Sequence, residues 1–155
     1  MPASARGAYV SVGSAFDAMS ALQDVFASVS DTVLIVDAYM DARVIRDIAP
    51  LAPEGVKLAL LTDENGVKAE FLPICRAWID QHGDKRPLAV RVTAARVLHD
   101  RAVLGNEGDA WILTQSLKDF AKRSPASIQK VDRDIAEAKF QAYSDIWLSA
   151  RDPLM

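Results

Sequence analysis

The residues whose types and spacing suit chemistry lie in one stretch, RVLHDRAVLGNEGDAWILTQSLKDF, which covers residues 96–120. His99 is one of two histidines in the chain, and Arg101 follows two positions later. Because side chains alternate along a strand, His99 and Arg101 are predicted on one face, with Asp100 on the other. The turn signal NEG predicts a hairpin that returns Ser116 to the same face. An imidazole, a guanidinium and a hydroxyl together suit a phosphate group, which arginine clamps and histidine can attack.

From the residues alone, a structural role remains the alternative at each position. A single histidine in a strand is more often structural than catalytic. Arg101 can instead pair with a surface carboxylate, and Ser116 can instead cap the helical turn predicted for LKDFAKR. The residues of this stretch alone therefore do not decide between a phosphate site and structural roles.

Further polar residues follow another predicted strand, in the run TVLIVDAY. Ligands of open α/β sheets bind at the carboxyl ends of the strands. We therefore expect Asp37 and Tyr39 to line the same pocket. Lys118 belongs to a basic set that follows His99 and Arg101 and can contact phosphates, and a solvated helix face is its alternative meaning.

The elements that must position these residues alternate along the chain as βαβαβαβ, followed by a hairpin and a closing amphipathic helix. This order predicts an α/β sandwich in which helices flank a mixed, mostly parallel sheet with an antiparallel portion. We expect a single domain over residues 1–155, with 1–7 as a flexible tail. ASIQKV is predicted as an edge strand, and the closing helix is predicted to pack an apolar stripe of Ile135, Ala138, Ala142, Ile146 and Trp147.

Composition excludes several classes of protein. Half of the 155 residues are hydrophobic and a quarter are charged, which argues against disorder, and the net charge of -3 gives no overall attraction to nucleic acid. Cys75 is the single cysteine, so an intrachain disulfide and a thiolate metal cluster are excluded, and a buried helix position is predicted for it. The sequence has no apolar run long enough for a membrane span and no apolar leader region, which favours a cytoplasmic protein.

The stretches VLHDRAVL and GDAWILTQSLKDFAKRSPASI resemble the signature of the phospholipase D-like superfamily. Its motif reads His-x-Lys, four residues and Asp, and a Gly-Ser or Gly-x-Ser element follows after a turn and a strand. Compact prokaryotic members with a single motif carry His-Asp-Arg and then Gly-x-Ser-Leu-Lys-Asp. Here these elements are residues 99–101 and 114–119. The run VLIVDAYMDARVIRDIAPLAPEGVKLALLTD is similar to the strand, short helix and strand before the motif, so the resemblance covers roughly residues 32–147.

The resemblance implies a phospholipase D-like fold and a mechanism without metal or other cofactor, in which charged side chains stabilise the transition state. It makes His99 the nucleophile that forms a phosphohistidine, Arg101 the phosphate clamp in place of the motif lysine, and Ser116 a hydrogen-bond donor to the phosphate. The family chemistry uses two histidines and this chain carries one motif, so a homodimer with the two His99 side chains facing each other is implied. His82 reads as a solvated helix end and is a poor substitute. Nucleic acid is expected as the substrate rather than lipid, because the chain is short and has no interfacial hydrophobic segment.

Two departures from the motif keep a second hypothesis open. The motif aspartate falls on Asn106, which can hold an imidazole by a hydrogen bond but cannot stabilise an imidazolium by charge; Asp109 is an alternative to it. The glycine of Gly-x-Ser is Thr114, which adds a side chain where the phosphate approaches. The protein is therefore expected to be a phosphodiesterase of nuclease type, or a weak or inactive module that binds phosphate or nucleic acid or serves dimerisation and recruitment.

Overall fold

The computed structural model describes residues 7–105 and 108–155. Within these ranges seven strands form one sheet: β1 Gly7–Val10, β2 Thr32–Val36, β3 Lys57–Asp63, β4 Leu88–Thr93, β5 Ala102–Gly105, β6 Ala110–Leu113 and β7 Ala126–Lys130. The same ranges contain three α-helices: α1 Ala15–Ala27, α2 Phe71–His82 and α3 Arg133–Ser149. A wide, π-type helical segment, Val44–Ile48, continues into the 3-10 turn Ala49–Leu51, and a second 3-10 turn is Leu117–Asp119.

The sheet is mixed, and its strand order is β1-β7-β6-β5-β2-β3-β4. Among the described strands, β2, β3 and β4 run parallel, and the other four pairings are antiparallel. The α/β class, the flanking helices and the β5–β6 hairpin are confirmed. The sheet has a smaller parallel part than predicted, because β7 lies inside the sheet between β1 and β6 instead of at an edge. The sequence of β1 carries no mark of its pairing with a strand more than a hundred residues away.

Helices cover both faces of the sheet. The larger core cluster lies between one face and α1, α2 and the 44–51 segment, and its largest fully buried side chains include Trp111, Phe26 and Phe71. The smaller cluster lies between the other face and α3. The apolar runs of β2 and β3 supply both clusters, since alternate residues of these strands point to opposite faces.

Helix α3 turns a different face to the sheet than its apolar periodicity predicts. It buries Ala136 and Tyr143, whereas Ile135 remains 47% exposed, and Ala138 and Ala142 are also exposed. The predicted stripe is therefore correct only for Ile146 and Trp147, which are partly buried. The face that α3 turns to the sheet includes Tyr143, which is hydrogen-bonded to Asp100 before β5, a contact that apolar spacing does not record.

The structure also locates the single cysteine, the second histidine and the first residue of β1. Cys75 is buried in α2, where burial raises the pKa of its thiol to about 12. His82 is exposed at the end of α2 and its ring lies 4.8 Å from that of Trp78. Gly7, assigned above to a flexible tail, pairs with Gln129 at the start of β1, and residues 1–6 lie outside the described residues. Over the described ranges, each helix is too short or too polar for a bilayer span.

Candidate functional site

The predicted nucleophile lies just before a strand and not inside it. β5 begins at Ala102, so His99 and Arg101 belong to an extended segment that leads into the hairpin. This segment starts at Arg96, whose φ of 68° turns the chain sharply after β4, and the Arg96 amide donates to Asp63 Oδ2 at 2.9 Å. The strand starts later than its apolar pattern predicts because its partner β2 ends at Val36, which pairs with Ala102.

Of the predicted alternation, the structure shows the part that separates Asp100 from Arg101. Asp100 faces α3, where its Oδ2 accepts hydrogen bonds from Tyr143 Oη at 2.6 Å and from Lys139 Nζ at 2.7 Å. Burial acts to raise the pKa of Asp100, but the hydrogen bonds and the charge of Lys139 outweigh it, and the pKa is lowered. Burial and the bond to Asp100 raise the pKa of Tyr143. Asp100 therefore fastens the segment to α3 on the side opposite Arg101.

Arg101 lies on the wall of an open cavity of about 410 Å³ that is lined by residues with polar or charged side chains. Five residues predicted for the site share this wall: Tyr39, Arg101, Thr114, Ser116 and Lys118. The cavity combines the end of β2, the start of β5 and the loop after β6, three regions far apart in sequence. Its place at the strand ends is the one predicted for a ligand site in an open sheet.

His99 takes a different position from the other predicted residues. It is exposed, and among the described residues it neither lines the cavity nor forms a hydrogen bond. Arg101 is half-buried, and within residues 7–105 and 108–155 its guanidinium forms no hydrogen bond or ion pair. The structure thus leaves the cavity's guanidinium open to an anion, with the imidazole two residues away on the surface.

Ser116 directs its hydroxyl inward. Its Oγ lies 2.9 Å from each carboxylate oxygen of Asp37 and 2.8 Å from the carbonyl oxygen of Tyr39. A hydroxyl has one proton to donate, and all these acceptors lie inside the protein. The role of Ser116 as a direct donor to phosphate therefore finds no support in this geometry, which fits a residue that shapes the wall.

Asp37 lies beneath the cavity and not on its wall. It is fully buried, and its carboxylate also accepts hydrogen bonds from the amides of Tyr39 at 3.0 Å and Leu117 at 2.8 Å. Burial raises the pKa of Asp37 against the lowering effect of these bonds and of the positive charge of Arg101. The predicted contact of Asp37 with a substrate is thus replaced by contacts with the residues that build the site.

The remaining predicted residues are held by local contacts. The side-chain Nζ of Lys118 forms an ion pair with Asp119. The backbone carbonyl of Lys118 accepts a hydrogen bond from Arg43 at 3.1 Å. Thr114 Oγ1 accepts from the Ser127 amide at 2.9 Å, so the side chain that replaces the motif glycine is bonded to β7. The extra group at this position therefore has a partner outside the cavity.

Asn106, predicted as the motif aspartate's counterpart, lies outside the described residues. Asp109, its alternative, lies beyond the far end of β5 from His99 and pairs with Lys130 at 3.2 Å. A strand advances about 3.3 Å per residue, so the length of β5 separates Asp109 from the imidazole. The structure contradicts the alternative that Asp109 holds His99.

Sequence reasoning missed Gln115, which shapes the loop on one side of the cavity. Its Oε1 accepts from the amide of Ala121, and its Nε2 donates to Ser124 and Pro125. The one indication was its place inside the Thr-x-Ser element. Groups of three or more His, Cys, Asp or Glu side chains that could hold a metal ion do not occur in the described part of the chain.

Known proteins resemble this chain in structure and not in sequence. No family model matches the sequence. No curated protein matches it significantly. NucT from Helicobacter pylori has a TM-score of 0.66 at 12% identity, over 94% of this chain and 98% of that one. Nuc from Salmonella typhimurium, a phospholipase D family member, has a TM-score of 0.66 at 14% identity, over 94% and 97%.

A third structure extends the likeness to a larger protein. The archaeal chromatin protein TrmBL2 has a TM-score of 0.58 at 16% identity, over 95% of this chain and 54% of that one. At such identities the likeness concerns the fold. Together with the mixed sheet and the helices on both its faces, these matches establish that the chain has the phospholipase D-like fold, as the residues from His99 to Asp119 predict.

Proposed function

We propose that the protein is a metal-independent phosphodiesterase of nuclease type that acts through a phosphohistidine at His99 in a homodimer. The observation that carries the proposal is the cavity at the strand ends, where Arg101 and Lys118 lie on one wall of a phospholipase D-like fold. The Arg101 guanidinium forms no hydrogen bond or ion pair with the described residues, and a guanidinium is suited to bind two oxygens of a phosphodiester. Nucleic acid is the proposed substrate, and the similarity in fold to NucT and Nuc supports this proposal.

The proposed reaction has two steps. In the first, a ring nitrogen of His99 attacks phosphorus, the bond to the leaving oxygen breaks, and the imidazole of the second copy gives that oxygen a proton. In the second, the same imidazole removes a proton from water, which attacks the phosphohistidine and regenerates His99. Arg101 stabilises the charge on the phosphoryl oxygens in both steps.

The position of His99 is compatible with a shared site. A histidine that meets its copy across a two-fold axis must lie on the surface of one chain, and His99 is exposed beside the cavity. Each copy would then supply one imidazole to a phosphate held by Arg101. A monomer at micromolar concentration in light scattering would remove this route.

The decisive experiment measures hydrolysis of single-stranded DNA and of bis(p-nitrophenyl) phosphate in the presence of EDTA. We expect turnover by the wild type, turnover at background in His99→Ala, and no change in His82→Ala, the control at the chain's other exposed histidine. Quenching in alkali and mass spectrometry should detect the phosphoryl group on His99. Turnover that persists in His99→Ala, or that EDTA abolishes, would contradict the proposal.

A binding module without turnover is the second candidate function. It is favoured by the inward hydroxyl of Ser116 and by the position of His99 outside the cavity wall. The similarity in fold to TrmBL2, a chromatin protein whose structure shows a mode of DNA binding, offers an example of the fold in such a role. Binding of single-stranded DNA that Arg101→Gln weakens, with no hydrolysis by the wild type, would select this function.

A further inference from the structure

We propose that Asp37 is a positioning residue, which holds the two loops of the anion cavity together from below. The proposal rests on the proposed function only in taking this cavity as the place where a phosphate group binds. The loops are the turn after β2, which carries Tyr39, and the turn after β6, which carries Ser116 and Lys118.

The carboxylate of Asp37 contacts both loops at once. Oδ1 accepts the Tyr39 amide at 3.0 Å and Oδ2 accepts the Leu117 amide at 2.8 Å. The Ser116 hydroxyl bridges the two sides, at 2.9 Å from the carboxylate and 2.8 Å from the Tyr39 carbonyl. Tyr39 and Ser116 line the cavity, and Leu117 lies between two lining residues. A change at Asp37 therefore reaches the cavity wall from two directions.

A carboxylate is the group that this arrangement requires. Both of its oxygens accept hydrogen bonds, so each can take one backbone amide. Asparagine has almost the same shape but presents an NH₂ group on one side, which would face either the Tyr39 amide or the Leu117 amide, donor against donor. One loop would then lose its attachment whichever way the amide were turned.

Asp37 also acts on the cavity through charge. Burial raises the pKa of this carboxyl, and the positive charge of Arg101 opposes that effect less than the hydrogen bonds from Tyr39, Leu117 and Ser116 do. Arg101 is held by no ion pair among the described residues, so its attraction to Asp37 helps to keep its guanidinium at the cavity. Burying a carboxylate costs desolvation free energy. The hydrogen bonds of the Asp37 carboxylate all go to residues of the two loops, which points to a role in the site.

Asp63 provides a matched control at the end of the neighbouring strand. It is 7% exposed and its carboxylate likewise accepts backbone amides, those of Asn65, Gly66 and Arg96. None of these partners lines the cavity. Asp63→Asn therefore removes a comparable buried carboxylate without touching the proposed anion site.

The test is calorimetric titration of the full chain with inorganic phosphate at pH 7. We expect the wild type to bind, Arg101→Gln and Asp37→Asn each to weaken binding about tenfold or more, and Asp63→Asn to stay within about twofold. The double variant D37N/S116A should bind no more weakly than D37N alone, because both side chains belong to the same hydrogen-bonded link between the two loops. Such non-additivity is a readout that general destabilisation does not produce.

The outcomes separate this proposal from the proposed function. Binding by Asp37→Asn within about twofold of the wild type, with Arg101→Gln weakened, would overturn the positioning role and leave the phosphate site intact. Equal weakening by Asp63→Asn, or additive losses in the double variant, would also overturn it. A wild type that binds no phosphate would overturn both.

A second pair of variants covers the case in which Asp37→Asn does not fold. Ser116→Ala removes the bridging hydroxyl but leaves both amides on the carboxylate, and we expect it to weaken phosphate binding several-fold. Ser116→Thr keeps the hydroxyl and should restore binding to near the wild-type level. Full affinity in Ser116→Ala, or a failure of Ser116→Thr to restore it, would overturn the proposal.

Discussion

Asp37 and Asp63 end neighbouring parallel strands and make different use of the same local geometry. Each carboxylate accepts the amide of the residue two positions later, so each closes its own turn. Asp37 then reaches residues 116 and 117, which belong to the cavity loop, whereas Asp63 reaches Arg96, where the chain leaves β4. The same side chain at the same kind of position thus holds the wall of a cavity in one place and a crossing loop in the other.

The difference follows from the neighbours of each strand. β2 lies between β3 and β5, so its end is next to the hairpin that carries Arg101. β3 lies between β2 and β4, so its end is next to the loop that follows β4. In an open sheet, the place of a strand in the order decides which loops its last residue can reach.

The largest effect is expected from Asp37→Ala. It removes the acceptors of two buried amides and of the Ser116 hydroxyl, and a buried group without a partner costs about 1–3 kcal/mol. We expect a loss of about 2–5 kcal/mol in the free energy of unfolding, measured by urea denaturation. A loss below about 1 kcal/mol would show that water replaces the carboxylate, and the contrast with Asp63 would disappear.

Asp63→Asn should have a smaller effect on stability. Both turn amides, those of Asn65 and Gly66, are bonded to Oδ1, so asparagine can keep them and lose only the Arg96 amide on Oδ2. We expect a loss of about 1–2 kcal/mol by the same measurement. Adding Arg96→Gly should recover part of it, because glycine adopts a φ of 68° without strain. No recovery in the double variant would mean that the bond from the Arg96 amide to Asp63 does not stabilise the turn at Arg96.

A still smaller effect is expected from Tyr143→Phe, which removes one of the two bonds to Asp100. Lys139 keeps the carboxylate paired, so we expect a loss of about 1 kcal/mol. Faster amide hydrogen exchange over residues 98–101 should accompany it, with no change at residues 116 and 117. Faster exchange at both places would show that the contacts of Asp100 with α3 also stabilise the loop that carries residues 116 and 117.

The smallest and most specific effect concerns pH. The pKa of Asp37 is raised in the folded state, so its contribution to stability is fully present below the unfolded pKa and is lost as the pH rises through the folded pKa. The pKa of Asp100 is lowered, so its contribution is present above the unfolded pKa and is lost as the pH falls through the folded one. Between pH 7 and pH 4, the stability of the wild type relative to Asp37→Asn should therefore rise, whereas relative to Asp100→Asn it should hold until the pH falls below about 4. Urea denaturation across this range measures both, and equal slopes would contradict the assignment.

Much of the site could be predicted from the sequence because it depends on local spacing. The alternation of Asp100 and Arg101 is a property of any extended chain. The NEG signal predicts the hairpin of β5 and β6, after which residue 116 lines the same cavity as residue 101. The inward direction of the Ser116 hydroxyl could not be predicted from this spacing, since it depends on acceptors 77 and 79 residues away. The apolar periodicity of α3 also predicted the wrong buried face, and the bonds of Tyr143 and Lys139 to Asp100 leave no trace in that periodicity.

Most of the elements, their combination in an α/β sandwich, and the short stretch whose residue types suit a phosphate could be predicted from the sequence. These depend on periodicity, turn residues and motif spacing, which are local properties of the chain. The tertiary structure alone decided that β7 is interior, that Asp37 lies beneath the cavity, and that His99 stands outside its wall. The physical reason is that strand order and long-range hydrogen bonds join residues whose separation along the chain leaves no local trace.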